Sequence, residues 1–333
     1  MPSTATRPTV ALLLGDPTGI GPEIVAKVLG AGALAETAQL VVVGDARLLE
    51  RGMRETGTQL RLKEVASPRG ANGDAGVVPI IDLADMDPAA LPRGEVSAEA
   101  GRLTGATLAN AIELALAGEV DAITFAPLNK AALNAGGWRF ADEHQMFAHL
   151  LDHQGHFAEM NVLDGQWMSR VTGHVSMRRA LDLITPQSIG DAVRLADRTM
   201  RRAGIARPRL AVAALNPHAG ENGLFGREEI DMIAPTVKAL AAEGIDCTGP
   251  YPADTIYLKA FAGAFDGVVA MYHDQGQIAT KLKGFNRGVT VTAGLETVFT
   301  TPAHGTAFDI VGTGKASTGA LENAIRLAAK LAS

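Results

Sequence analysis

Short apolar runs rich in Val, Ile and Leu alternate along this chain with longer Ala/Leu stretches of helical period. "TVALLLG", "QLVVVGD", "DAITFAP", "MNVLDG", "WMSRVTG", "RLAVAALNP" and "DGVVAMYHD" are each about one strand long. Most of them end in Gly, Pro, Asn or Asp, the usual punctuation of a strand. Between several of them lie "GPEIVAKVLGAGAL", "AGRLTGATLANAIELALAGE", "TPQSIGDAVRLADRTMRRAG" and "REEIDMIAPTVKALAAEG", which read as helices. Strands separated by helices of this length imply βαβ units, hence an α/β fold with a largely parallel sheet and helices on both faces. There is no internal repeat, heptad or low-complexity linker to mark a domain boundary.

Composition narrows this picture without changing it. A chain of 333 residues, 47% hydrophobic and 20% charged, has the balance of a soluble globular protein and the length of about two domains. A formal charge of −6 gives no reason to expect nucleic acid. Cys247 is the single cysteine, so an intrachain disulfide is excluded and a reducing, cytoplasmic setting fits. The opening "MPSTATRPTVALLLGDPTG" has too short an apolar run for a secretory signal, and no stretch is long enough to span a bilayer.

In α/β folds, ligands gather at the carboxyl ends of strands. Three of the eight histidines stand there: His174 in "SRVTGHVS", His218 in "AALNPHAGENG" and His273 in "AMYHDQG". Neutral imidazole is the commonest ligand for a divalent cation, and three would leave positions open for substrate. Their wide spacing carries no local metal signature, and the plain alternative is three unrelated loop histidines. Asp274 adjoins His273, and Asp254 lies in the Pro-rich "GPYPADTIY". Either suits an imidazole partner or a general base, although Asp254 also suits a turn or a helix start. Lys130 in "APLNK" follows a strand and would set an ammonium beside a substrate carboxylate or developing alkoxide. The alternative is a solvated lysine at a helix start.

Two Gly-rich stretches are weaker signals alone. "LGDPTGIGPEI" runs from a strand into a helix, but lacks both the Lys-Ser/Thr of a P-loop and the spacing of a Rossmann fingerprint. "HGTAFDIVGTGKAS" has two Gly-containing turns around Phe308-Asp309-Ile310, which suit either an adenosine grip or a tight structural turn.

Taken together, "GDPTGIGPE", "LNPHAGENGLFG", "PADT", "MYHDQG" and "HGTAFDIVGTGKA" resemble the 4-hydroxythreonine-4-phosphate dehydrogenase family over nearly the whole chain. The resemblance implies an isocitrate/isopropylmalate dehydrogenase-like fold, two α/β/α domains around a cleft, and a homodimer with the active site at the subunit interface. It implies a cofactor-side domain of residues 1–131 plus 300–333, and a metal, substrate and dimerisation domain of residues 132–299. His174, His218 and His273 would hold a divalent metal (zinc, magnesium, manganese or cobalt), with ligands shared across the dimer. NAD would lie against His304, Gly305, Thr306, Asp309 and Gly312. The implied chemistry is NAD-dependent oxidation of a small-molecule 3-hydroxy acid, followed by decarboxylation, with Asp254, Asp274 and Lys130 as the candidate catalytic groups.

The substrate positions depart from the family pattern. "DEHQ" places Asp142, Glu143, His144 and Gln145 where the family has a Gly-His-Thr-Glu phosphate motif. Lys281 matches the family lysine, but Thr290 and Phe299 stand where asparagine and arginine are expected. Loss of a bidentate arginine beside added carboxylates disfavours a phosphate dianion, unless Arg139 or Arg287 compensates. The sequence therefore favours a non-phosphorylated substrate, such as the cyclic dihydrodiol carboxylate of the terephthalate dihydrodiol dehydrogenase branch. The alternative is 4-hydroxythreonine-4-phosphate or a four-carbon sugar-acid phosphate. An acyltransferase of the phosphate acetyltransferase type, which shares the broad fold, is the alternative from a different class.

Overall fold

The computed structural model describes residues 7–71, 76–284 and 287–333. Among them are twelve strands: β1 (Thr9–Leu13), β2 (Gln39–Gly44), β3 (Arg61–Glu64), β4 (Val77–Asp82), β5 (Ala122–Phe125) and β6 (Ala158–Leu163), followed by β7 (Gln166–Arg170), β8 (Leu210–Ala213), β9 (Cys247–Tyr251), β10 (Gly267–Ala270), β11 (Val289–Ala293) and β12 (Val298–Pro302). The chain forms two compact units, Met1–Gln154 with Leu295–Ser333, and Gly155–Gly294. These divisions differ from those expected at 131/132 and 299/300. The helix Lys130–Ala135 belongs with the first unit because it packs on the helix Ala98–Leu116. Gly101 makes that approach possible, since a Cβ there would lie 1.8 Å from Ala132 O.

The first unit holds strands in the order β3-β4-β2-β1-β5-β12, all parallel. β1 is buried along its whole length, as a central parallel strand covered on both faces must be. Its residues and those of the helix Gly21–Ala31 supply much of one core, with Leu12, Ile24, Val42, Ile80 and Ile325 in contact. Asp45 starts the helix Ala46–Thr56 by accepting the Arg47 N–H, and Ser97 starts Ala98–Leu116 by accepting from Ala100.

The second unit has the order β11-β6-β7-β10-β8-β9. The pairings β11–β6 and β6–β7 are antiparallel, so this sheet is mixed and only its β7-β10-β8-β9 part is parallel. The reason is local. Asp164 and Gly165 have φ of 50° and 83° and join β6 to β7 as a tight hairpin, the conformation that an Asp-Gly pair favours. Met168, Ala211, Ile256, Tyr257 and Val268 form a core between this sheet and the helix Ala253–Phe261. The stretch "REEIDMIAPTVKALAAEG" becomes a single π turn, Glu229–Ile233, running into the helix Ala234–Ala242. No helix among the described residues is long and apolar enough to cross a membrane.

Candidate functional site

In the second unit, two neighbouring parallel strands deliver two histidines to one place. The register of β7 on β10 ends at Arg170↔Ala270. Beyond it, Val171 N donates to Ala270 O at 2.8 Å. Thr172 N and Oγ1 both donate to Met271 O, at 3.2 and 3.0 Å. The two exits therefore stay locked together, and the His174 and His273 rings come within 5.0 Å, centroid to centroid. Gln275 fixes the turn from the other side. Its Oε1 accepts the Met271 N–H at 2.7 Å and its Nε2 donates to Ala214 O at 2.8 Å, tying the end of β10 to the end of β8. His273 Nδ1 lies 2.7 Å from the Asp274 carboxylate. With that nitrogen donating, Nε2 keeps its lone pair for a cation.

His218 stands in a different kind of backbone. His218, Ala219, Gly220, Glu221 and Asn222 all have positive φ, between 42° and 79°. A left-handed conformation costs about 1–2 kcal/mol per non-glycine residue, so this turn persists only because its surroundings hold it. The Glu229 carboxylate does so. It accepts the N–H of Leu215 at 2.8 Å, the N–H of Asn216 at 2.7 Å and the Asn216 side-chain amide at 2.9 Å. Burial alone would push this carboxyl up, but the hydrogen bonds, led by those from Asn216, outweigh it and hold Glu229 below its ordinary range.

Among the described residues, no group of three or more His, Cys, Asp or Glu is gathered tightly enough to hold a metal ion. Within one chain, then, the His174 and His273 rings lie side by side, and His218 is not brought into a three-ligand cluster with them. Asp254 lies exposed in the first turn of the helix Ala253–Phe261. Lys281 is exposed on the helix His273–Gly284, two turns beyond His273.

Thr290 is buried and its hydroxyl accepts from Asn161 Nδ2 at 3.0 Å. Asn161 Oδ1 in turn receives the buried Arg170 guanidinium, which also pairs with Glu159 at 3.1 Å. Thr290 thus serves an internal polar network. Arg287 pairs with Asp164 at 2.9 Å beside the β6–β7 turn, and Arg139 is exposed.

In the first unit, the two Gly-rich stretches form one substructure. Ile20 N donates to Thr306 O at 3.1 Å, and Gly19 packs against Thr306 so closely that a Cβ would meet it at 2.8 Å. The fully buried Glu23 carboxylate accepts the N–H groups of Gly312 and Gly314, the latter at 3.0 Å. Lys27 Nζ donates to Ala316 O at 2.9 Å. His304 Nδ1 lies 3.0 Å from Gly305 O, and Gly305, Asp309 and Gly312 are exposed along the loop. The helix Gly21–Ala31 therefore clamps the loop's backbone while leaving its outer residues open to a ligand.

At "DEHQ", Asp142 is the N-cap of the helix Glu143–Leu150, accepting from Gln145 N at 2.9 Å. Glu143 lies 3.0 Å from Lys130 Nζ and 3.9 Å from Nε2 of the buried His144. Phe299 is fully buried and stacked on Phe147, with centroids 4.2 Å apart and planes at 9°. It is a core residue, where the family pattern has an arginine.

Residues 36–328 match the family described as pyridoxal phosphate biosynthetic protein PdxA. The chain belongs to the PdxA family. Within it, the chain is 44% identical to the D-threonate 4-phosphate dehydrogenase of Pectobacterium atrosepticum, over 97% of this chain and 99% of that protein. The crystal structure of a 4-hydroxythreonine-4-phosphate dehydrogenase from Klebsiella pneumoniae matches with a TM-score of 0.85 at 43% identity, covering 98% of this chain and all of that one. A terephthalate 1,2-cis-dihydrodiol dehydrogenase from Burkholderia xenovorans matches less closely, with a TM-score of 0.67 at 34% identity over 97% of this chain and 98% of that one. All three are dehydrogenases, and this PdxA chain is an oxidoreductase of that kind.

Sequence reasoning passed over the residues that hold these PdxA motifs in place: Glu23, Gln275 and Glu229. Each acts on a segment brought to it by folding. Only Gln275, inside "MYHDQG", stood next to a residue already singled out.

Proposed function

We propose that this chain oxidises the secondary alcohol of a phosphorylated hydroxy acid, of the D-threonate 4-phosphate or 4-hydroxythreonine-4-phosphate kind. The observation that carries this reading is the closer likeness, over nearly the whole chain, to enzymes named for those substrates than to the dihydrodiol enzyme. The preference for a non-phosphorylated cyclic acid gives way. It rested on the missing family arginine beside Asp142 and Glu143, and the likeness to enzymes named for phosphate esters outweighs it. The acyltransferase alternative has no support among these relatives.

In this reading, His174, His218 and His273 hold the divalent cation across a homodimer, which agrees with only two of the three converging in a single chain. When bound, the cation supplies Lewis acidity toward a hydroxyl, and NAD supplies the hydride acceptor. Asp274 would take the Nδ1 proton of His273 and leave Nε2 for the cation. Asp254 is the candidate base for the alcohol's proton, the Lys130 ammonium would stand beside the developing alkoxide, and bound NAD would accept the hydride. The resulting 3-keto acid then loses carbon dioxide. Lys281 is assigned to the phosphate, and the exposed face of residues 304–314 to NAD. A single buried cysteine, Cys247, fits a cytoplasmic enzyme.

The experiment follows NAD reduction with each candidate phosphate ester, its dephosphorylated acid and a cyclic dihydrodiol carboxylate, in the presence of each divalent metal. The phosphate ester is expected to have a kcat/KM higher by roughly a hundredfold or more, as a site built for a charged group rejects its absence. Equal or better turnover of a non-phosphorylated acid would overturn the substrate assignment.

A further inference from the structure

We propose that Glu229 is the positioning residue for His218, and that the left-handed turn of residues 218–222 is a preformed ligand arm. The inference rests on the reading of His218 as a metal ligand. Glu229 is 3% exposed and brackets the histidine on both sides. On one side it takes two backbone N–H groups, from Leu215 and Asn216, together with the Asn216 amide. On the other it presses on Gly220, where a Cβ would lie 2.7 Å from Oε2. His218 sits midway between these two contacts.

The supporting segment is shaped for the same end. Glu229 opens the π turn Glu229–Ile233, an irregularity that places Glu228 and Glu229 together against one amide. Asn216 Nδ2 donates to Glu228 at 2.7 Å as well as to Glu229. Gly226, at φ 136°, leaves the space this needs, because a Cβ there would meet Asn216 Nδ2 at 2.4 Å. Two acidic residues on one turn therefore fix the residue two before His218, and one of them also lies close against the residue two after. A turn with five consecutive positive-φ residues after His218 would relax without that hold, and the imidazole would lose its direction. Residues that orient a ligand in this way tune metal affinity without touching the metal.

The test is the dissociation constant of cobalt or zinc, measured by competition with a chromogenic chelator on the full-length wild type and on His218→Ala, Glu229→Ala and Glu229→Gln. NAD affinity and circular dichroism are recorded for each variant. Metal affinity should fall roughly tenfold or more in Glu229→Ala, as in His218→Ala. Glu229→Gln keeps an oxygen for the two backbone donors and should lie between, with NAD affinity unchanged throughout. A folded Glu229→Ala within about twofold of wild type, while His218→Ala has lost the metal, would overturn the positioning role and leave the ligand reading standing. If Glu229→Ala does not fold, Glu229→Gln decides: weakened binding supports the role, and wild-type affinity overturns it. Wild-type affinity in His218→Ala would remove the ligand reading, and this inference with it.

Discussion

The His174 and His273 rings face each other at 5.0 Å because β7 and β10 are neighbouring parallel strands whose ends remain hydrogen-bonded past their last register pair. A pair made this way is brought together by backbone geometry. The Asp274 carboxylate, 2.7 Å from His273 Nδ1, completes the arrangement.

Asp274→Asn should therefore weaken metal binding by roughly tenfold or more and lower kcat. Because Asp274 is exposed, the thermal midpoint should stay near that of the wild type. Metal affinity by chelator competition and a melting curve check both halves. Unchanged affinity would remove the carboxylate from the account.

Glu23→Ala takes the acceptor from the Gly312 and Gly314 N–H groups and frees the loop that follows Asp309. A loss of ~1–2 kcal/mol at this anchor corresponds to about a five- to thirtyfold rise in KM for NAD. Metal content should be unchanged. A normal KM for NAD would argue that the cofactor lies elsewhere.

Phe299→Ala should cost about 3–5 kcal/mol of stability through the cavity left against Phe147. The ratio of kcat/KM for phosphorylated and non-phosphorylated acids should not change. A large change in that ratio, with little loss of stability, would return Phe299 to the substrate site.

The contrast between Phe299 and β1 marks what could be read from the sequence. β1, β2, β5, β6, β7, β8 and β10 were visible as short apolar runs because most of their residues are buried. β3 is mostly exposed and "CTGPY" of β9 carries Gly and Pro, so neither displays a strand pattern. The antiparallel edge of the second unit was signalled by Asp164-Gly165, a hairpin pair passed over as a strand end. His174 and His273 could be placed beyond strands because strand ends have a readable position, and the structure puts both just after β7 and β10. The internal partners of Thr290 and Phe299 could not be read, because matching a residue to a motif position says nothing of burial. Glu23 closes the motif "GDPTGIGPE", but nothing in the sequence names its partners, and the bonds that define it and Glu229 form only when separated segments meet.

Asp266 gives a pH prediction independent of the site. Hydrogen bonds from the Arg209 guanidinium hold its carboxyl below the ordinary range, against an opposing effect of burial. A lowered folded-state value means the contribution is present above the unfolded value of about 4 and is lost as pH falls through the folded value. Asp266→Asn should therefore destabilise the protein most near neutral pH, with the gap from wild type closing in acid. Denaturant midpoints across pH measure this, and a gap that widens in acid would contradict it.

The most direct measurement is the metal content of the purified protein beside that of the double variant His174→Ala/His273→Ala, each after loading with one divalent metal and gel filtration. The account predicts about one cation per subunit in the wild type and loss of nearly all of it in the folded double variant, together with its dehydrogenase activity. A folded double variant that keeps its cation and still reduces NAD would contradict the claim that this facing pair is the heart of the active site.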